Sequence, residues 1–140
     1  MKMVFWLLIA LGVAMGAYIR LAPSDPARWH VAPEGAERDL PGGVVRIVET
    51  GPDGLARLDS IANATPRTRV LAGSVSDGMI TYITRTKVFG FPDYTTAQQD
   101  GDALRIHGRL RFGRKDFGVN KARVDGWLSQ LWAAVRTRNS

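Results

Sequence analysis

The sequence predicts an α+β fold: an antiparallel sheet of four to five strands with two helices on one face, preceded by one N-terminal transmembrane helix. Three patterns carry this. Met3–Ile19 holds no charged side chain. Two pairs of strand-like runs meet across Ser76-Asp77-Gly78 and Asp100-Gly101-Asp102, the turn chemistry of hairpins. A C-terminal run carries a single apolar stripe at helical spacing. The chain divides accordingly into an anchor (1–22), a linker (23–42) and an α+β domain (43–140).

As a helix, Met3–Ala22 spans about 30 Å, the thickness of a bilayer core. Trp6 and Tyr18 fall near the two interfaces, and Arg20 is close enough to the end to reach the headgroups. Pro23, Pro26 and Pro33 then stop the helix. A cleaved signal peptide is the competing reading, with Lys2 as its basic start and Ala14-Met15-Gly16 as its cleavage site. Apolar character continues past that site through Ala17, Tyr18 and Ile19, which favours a retained, single-pass anchor. With the amine kept inside, the domain is expected outside the cytoplasm, in the cell envelope.

Beyond the linker, Val44–Glu49 reads as a strand closed by Gly51-Pro52-Asp53-Gly54. Leu55, Leu58, Ile61 and Ala62 recur at helical spacing, and Pro66 ends that helix. The hairpins are Thr68–Val75 with Met79–Thr86, and Tyr94–Gln99 with Ala103–Phe112. The last helix is expected over Val119–Arg136, with Asn120 as its N-cap and Val124, Trp127, Leu128, Leu131, Trp132 and Val135 as its buried stripe. Gly126 inside it suggests close packing on the sheet.

Composition narrows the chemistry. The chain has no cysteine and two histidines, His30 and His107, so no metal or cofactor site is expected. The formal charge is +6 and lopsided: residues 34–59 carry three basic and six acidic side chains, residues 103–140 nine and two. Such a basic end points to an anionic partner.

Its sharpest expression is Ala103–Phe112. Leu104, Ile106, Gly108, Leu110 and Phe112 alternate with Arg105, His107, Arg109 and Arg111, and Arg114 and Lys115 follow. In a strand the cationic set lies on the face opposite the core, spaced about 7 Å apart. This row is the candidate surface for anionic lipid headgroups or another envelope protein. The bland alternative is a solvated strand whose arginines resist edge pairing. Nucleic acid fits an anchored chain poorly, and Tyr82, Phe89 and Phe91 are expected in the core rather than as stacking groups. His30, beside Trp29, reads as part of an interfacial pair. No catalytic residue is assigned. A hydrolase-like enzyme would have to assemble His107 with Asp102 or Asp116 and with Ser74 or Ser76, or use a site near Arg111, Asp116 and Asn120, and no motif spacing supports either.

Arg85-Thr86-Lys87-Val88-Phe89-Gly90-Phe91-Pro92-Asp93 and the run from Arg111 to Arg123 resemble the domain of unknown function 1499 family. Arg111, Gly113, Asp116, Gly118, Asn120 and Arg123 match its C-terminal pattern in order, and the likeness covers roughly residues 43–132. His107, Gly108 and Leu110 depart from it, standing where arginine and two serines are usual. The resemblance implies a membrane or envelope setting and no established activity. Physically, Gly113 and Gly118 suit positive φ. Asp116 and Asn120 can accept N–H groups at a helix start, and Arg111 and Arg123 can each pair with Asp93 or Asp116. The motif therefore reads as a lock between last strand and last helix more readily than as a binding site.

Overall fold

The computed structural model describes residues 1–138. Helix α1 runs from Lys2 to Leu21, and none of its residues is buried. It is long and apolar enough to cross a membrane, a property that a signal sequence shares. Three further helices follow among the described residues: α2 (Pro26–Trp29), α3 (Gly54–Asn63) and α4 (Val119–Arg138).

The fold is α+β with an antiparallel sheet, as expected, but the sheet has six strands rather than four or five: β1 (Arg38–Leu40), β2 (Gly43–Glu49), β3 (Thr68–Ser74), β4 (Met79–Arg85), β5 (Pro92–Asp100) and β6 (Ala103–Leu110). Their order is β1-β2-β6-β5-β4-β3, with every neighbour antiparallel. The additional strand is β1, whose three residues pair Arg38 with Val45 and are too few to show any alternation. Strand β6 stops at Leu110, so Arg111 and Phe112 belong to the loop after it.

Helices α3 and α4 cover one face. Val44, Ile80, Tyr82, Ala97, Leu104 and Ile106 meet Leu55, Leu58 and Ala62 of α3 and Val124, Trp127 and Leu131 of α4. Tyr82 and Trp127 pack edge to face at 5.7 Å, and their polar ends are satisfied by Asp59 and Thr65. Gly108 opens the sheet to α4: a Cβ there would stand 3.1 Å from a Val124 methyl. Two expectations for α4 fail. Gly126 faces open space, with nothing within 4 Å of a would-be Cβ. Of the expected buried stripe, Trp132 is 39% exposed and Val135 only half-buried, although Leu131 beside them is fully buried.

The second face is not left to solvent. Residues 23–42, read from sequence as linker, carry α2 and β1, and the first part of the stretch lies across the sheet as a strap. The Trp29 ring stacks on Tyr94 at 4.0 Å, Ser24 shares a hydrogen bond with the Tyr94 hydroxyl, and His30 Nδ1 meets Thr81 Oγ1 at 2.9 Å. Beneath and beside it Val45, Thr81, Ile83, Tyr94 and Thr96 are buried. Trp29 and His30 are thus packing residues of the domain.

Candidate functional site: the two motif clusters and the rim nearest α1

The family-pattern residues separate into two groups on opposite faces. The first joins β5 to α4. Arg123 pairs with Asp93 at 3.2 Å and donates to Asn120 Oδ1 at 2.8 Å; Asn120 Nδ2 in turn donates to Asp116 Oδ2 at 2.8 Å. Asp116 also accepts the backbone N–H groups of Gly118 and Asn120. It therefore performs the capping expected of Asn120, which sits one residue inside α4 and is fully buried. Gly113 and Gly118 do adopt positive φ, 99° and 81°. Burial pushes the Asp93 carboxyl up, with Arg123 opposing. Asp93, Asp116, Asn120 and Arg123 thus bond to one another and to backbone.

Arg85 and Arg111 lie apart from it. Arg111 pairs with neither Asp93 nor Asp116; it donates to the Pro23 carbonyl and the Tyr94 hydroxyl. Arg85 donates to the carbonyls of Gly90 and of Ile19, in the last turn of α1. Both tie the N-terminal segment to the sheet.

The cationic row of β6 alternates with the core residues as the sequence suggests, yet the strap occupies it. Arg109 donates to the Trp29 and His107 carbonyls and to Thr96 Oγ1, and burial pulls its guanidinium down to about 10. His107 is held down to about 4, first by burial and then by Arg109 and Arg38, and so is neutral at pH 7. Arg105 pairs with Asp100. Arg114 and Lys115, in the loop, are exposed. The residues of the hydrolase-like assembly are not brought together. His107 pairs in register with Val45 and Thr96, Ser74 lies on the opposite sheet edge, and Asp116 is committed to the α4 cap.

The loops at the end of the sheet nearest α1 were missed from sequence. Loop 86–91 and loop 111–118 meet there, and a chain of rings runs through them: Tyr18 to Phe112 at 6.2 Å, Phe112 to Phe91 at 6.5 Å, and Phe91 to Phe89 at 5.8 Å. Phe89 is 69% exposed, contrary to its expected place in the core, and Phe117 is 94% exposed. Phe117 also holds φ at 54°, a conformation that costs a bulky side chain about 1–3 kcal/mol. Arg20, Lys87, Arg114 and Lys115 stand exposed on the same rim. At the other end of the sheet Asp53, Asp77, Asp100 and Asp102 are exposed, Asp53 paired with Arg57 and Asp100 with Arg105.

The chain belongs to the family described as protein of unknown function (DUF1499), whose model matches residues 22–131. The match begins at Ala22, ahead of the strap. No curated protein matches the chain.

Proposed function

We propose that this chain is a single-pass membrane protein whose domain rests on the lipid surface through its anchor-side rim. Phe117 carries the reading. A phenylalanine that is 94% exposed and held at φ 54° carries a backbone cost with almost no burial of its ring to offset it. At a membrane interface the same ring gains about 1.5–3 kcal/mol, and Phe89 can gain as much. Four exposed basic residues around them, Arg20, Lys87, Arg114 and Lys115, add about 1 kcal/mol each near anionic lipid. Tyr18, at the end of α1, continues the aromatic series toward the apolar helix. The cationic row on β6 is then chiefly an internal fastening for the strap, with Arg114 and Lys115 as its contribution to lipid contact.

The hydrolase-like alternative has no comparable support, because Asn120 is buried and Asp116 is spent on the α4 cap. The absence of cysteine makes the test clean. Single cysteines at Phe89, Phe117 and Ser76 in the full chain, labelled with an environment-sensitive fluorophore, are placed in vesicles containing phosphatidylglycerol. Labels at 89 and 117 should shift to the blue and be quenched by spin-labelled lipid; the label at 76 should not. Equal water exposure at all three positions refutes the rim, and a mature N-terminus near Ala17 refutes the anchor.

A further inference from the structure

Where α1 meets the domain, Arg20, Arg67, Thr68, Arg69, Ile83 and Arg85 line a cleft of about 370 Å³. Four arginines line it from three separate segments of the chain: Arg20 in the last turn of α1, Arg67 and Arg69 at the start of β3, and Arg85 at the end of β4; the first three are exposed and Arg85 is half-buried. Among the described residues none of the four forms an ion pair with a carboxylate. Ile83, 1% exposed, contributes an apolar wall.

Two of the arginines are held in place by main-chain acceptors. Arg85 donates through Nη1 to Gly90 and Ile19, and Arg67 donates through Nε to the Arg85 carbonyl at 3.0 Å. Arg67 does so from a left-handed backbone, φ 55°, which is unfavourable for a side chain with a Cβ. Arg20 and Arg69 make no side-chain hydrogen bond among the described residues. The cleft therefore combines two oriented guanidinium groups with two free ones, and like charges gathered without a counter-charge repel.

We propose that this cleft binds a phosphate group, presented by a phospholipid headgroup at the surface that α1 enters. Guanidinium forks match phosphate oxygens in pairs, and several can share one group. Arg20 places the cleft at headgroup level, two residues beyond Tyr18. The lipid source rests on the reading of α1 as an anchor; the phosphate chemistry does not. A soluble phosphate would meet the same groups.

Native mass spectrometry of the full chain released from detergent micelles tests this. The chain should retain one phosphatidylglycerol and fail to retain diacylglycerol with the same acyl chains. Arg67→Gln with Arg69→Gln should lower that occupancy by about tenfold or more, while Arg67→Lys with Arg69→Lys keeps part of it; unchanged thermal melting checks that both variants fold. Displacement of the lipid by excess inorganic phosphate identifies a soluble phosphate as a second source for the same site. Indifference to such phosphate identifies the lipid as its source. Equal retention of diacylglycerol, or occupancy untouched by the glutamine pair, overturns the proposal. The rim labels report independently: deep labels at 89 and 117 with no phosphate selectivity sink the cleft and leave the rim standing.

Discussion

Replacing Arg123 with methionine removes the cation that faces Asp93 and keeps most of the aliphatic volume. The Asp93 and Arg123 side chains are 7% and 12% exposed, so the carboxylate left behind has little access to water. Breaking such a pair from one side costs about 3–5 kcal/mol, against a total stability of about 5–15 kcal/mol for a domain of this size. At about 4–8 °C per kcal/mol, the melting temperature of the full chain in detergent should fall by at least about 12 °C. The loss carries a pH signature. Burial already pushes the Asp93 carboxyl up, and Arg123 is the largest influence opposing it, so the variant raises it further. Between its unfolded and folded pKa values the folded state then holds a proton that the unfolded state lacks. The destabilisation is therefore greatest at alkaline pH and shrinks as the pH falls. Asp93→Asn in the same chain should recover about 2 kcal/mol of the loss. Urea melts of the two single variants and the double variant measure this. Additive losses, or a deficit in Arg123→Met that ignores pH, would refute a buried, mutually dependent pair.

Three further outcomes follow from the packing. His107 is depressed to about 4 from an unfolded value near 6.5, so the unfolded state protonates first and stability falls as pH drops through that window. Allowing for screening of a partly exposed ring, wild type should lose about 1–2 kcal/mol relative to His107→Gln between pH 7.5 and 4.5 in urea melts. Trp29→Ala removes the ring stacked on Tyr94 and should cost about 2 kcal/mol, with tryptic cleavage after Arg28 faster than in wild type. Gly126→Ala places a methyl group in open space and should raise stability by about 0.5–1 kcal/mol in thermal melts.

Strands β2 to β6 and helices α3 and α4 were legible because each repeats its pattern long enough to show a period. The strict alternation of Ala103–Leu110 fixed one face of β6, and Val124, Trp127, Leu128 and Leu131 fixed the stripe of α4. The pairing of Arg123 with Asp93 was legible from their local chemistry, although the same reading gave Arg111 a carboxylate partner that it does not have, and the division of labour between Asp116 and Asn120 was not legible. The strap was illegible. Its packing rests on Trp29, half-buried, and Pro33, buried, two residues among prolines and charges with no period, a composition that reads as linker. That omission made the second face look like solvent, since Tyr94 and Thr96 are capped by residues far away in sequence. The arginine cleft was hidden for a related reason: topology, rather than any linear motif, unites Arg20, Arg67, Arg69 and Arg85.

The distribution of cost across the molecule argues for the end on which it acts. A positive φ at a non-glycine residue occurs at two positions among the described residues, Arg67 and Phe117, and both lie at the end of the sheet nearest α1. Neither is repaid by packing: Phe117 is exposed and Arg67 faces other arginines. Exposed acidic turns occupy the opposite end, so an anionic surface would attract the end that carries the strain and repel the end that does not. Glycine at position 117 would relieve the backbone there and discard the ring. Phe117→Gly should therefore stabilise the domain by about 1 kcal/mol while weakening its contact with lipid. A variant that gained stability with no loss of contact would mean that the ring has no use at the interface.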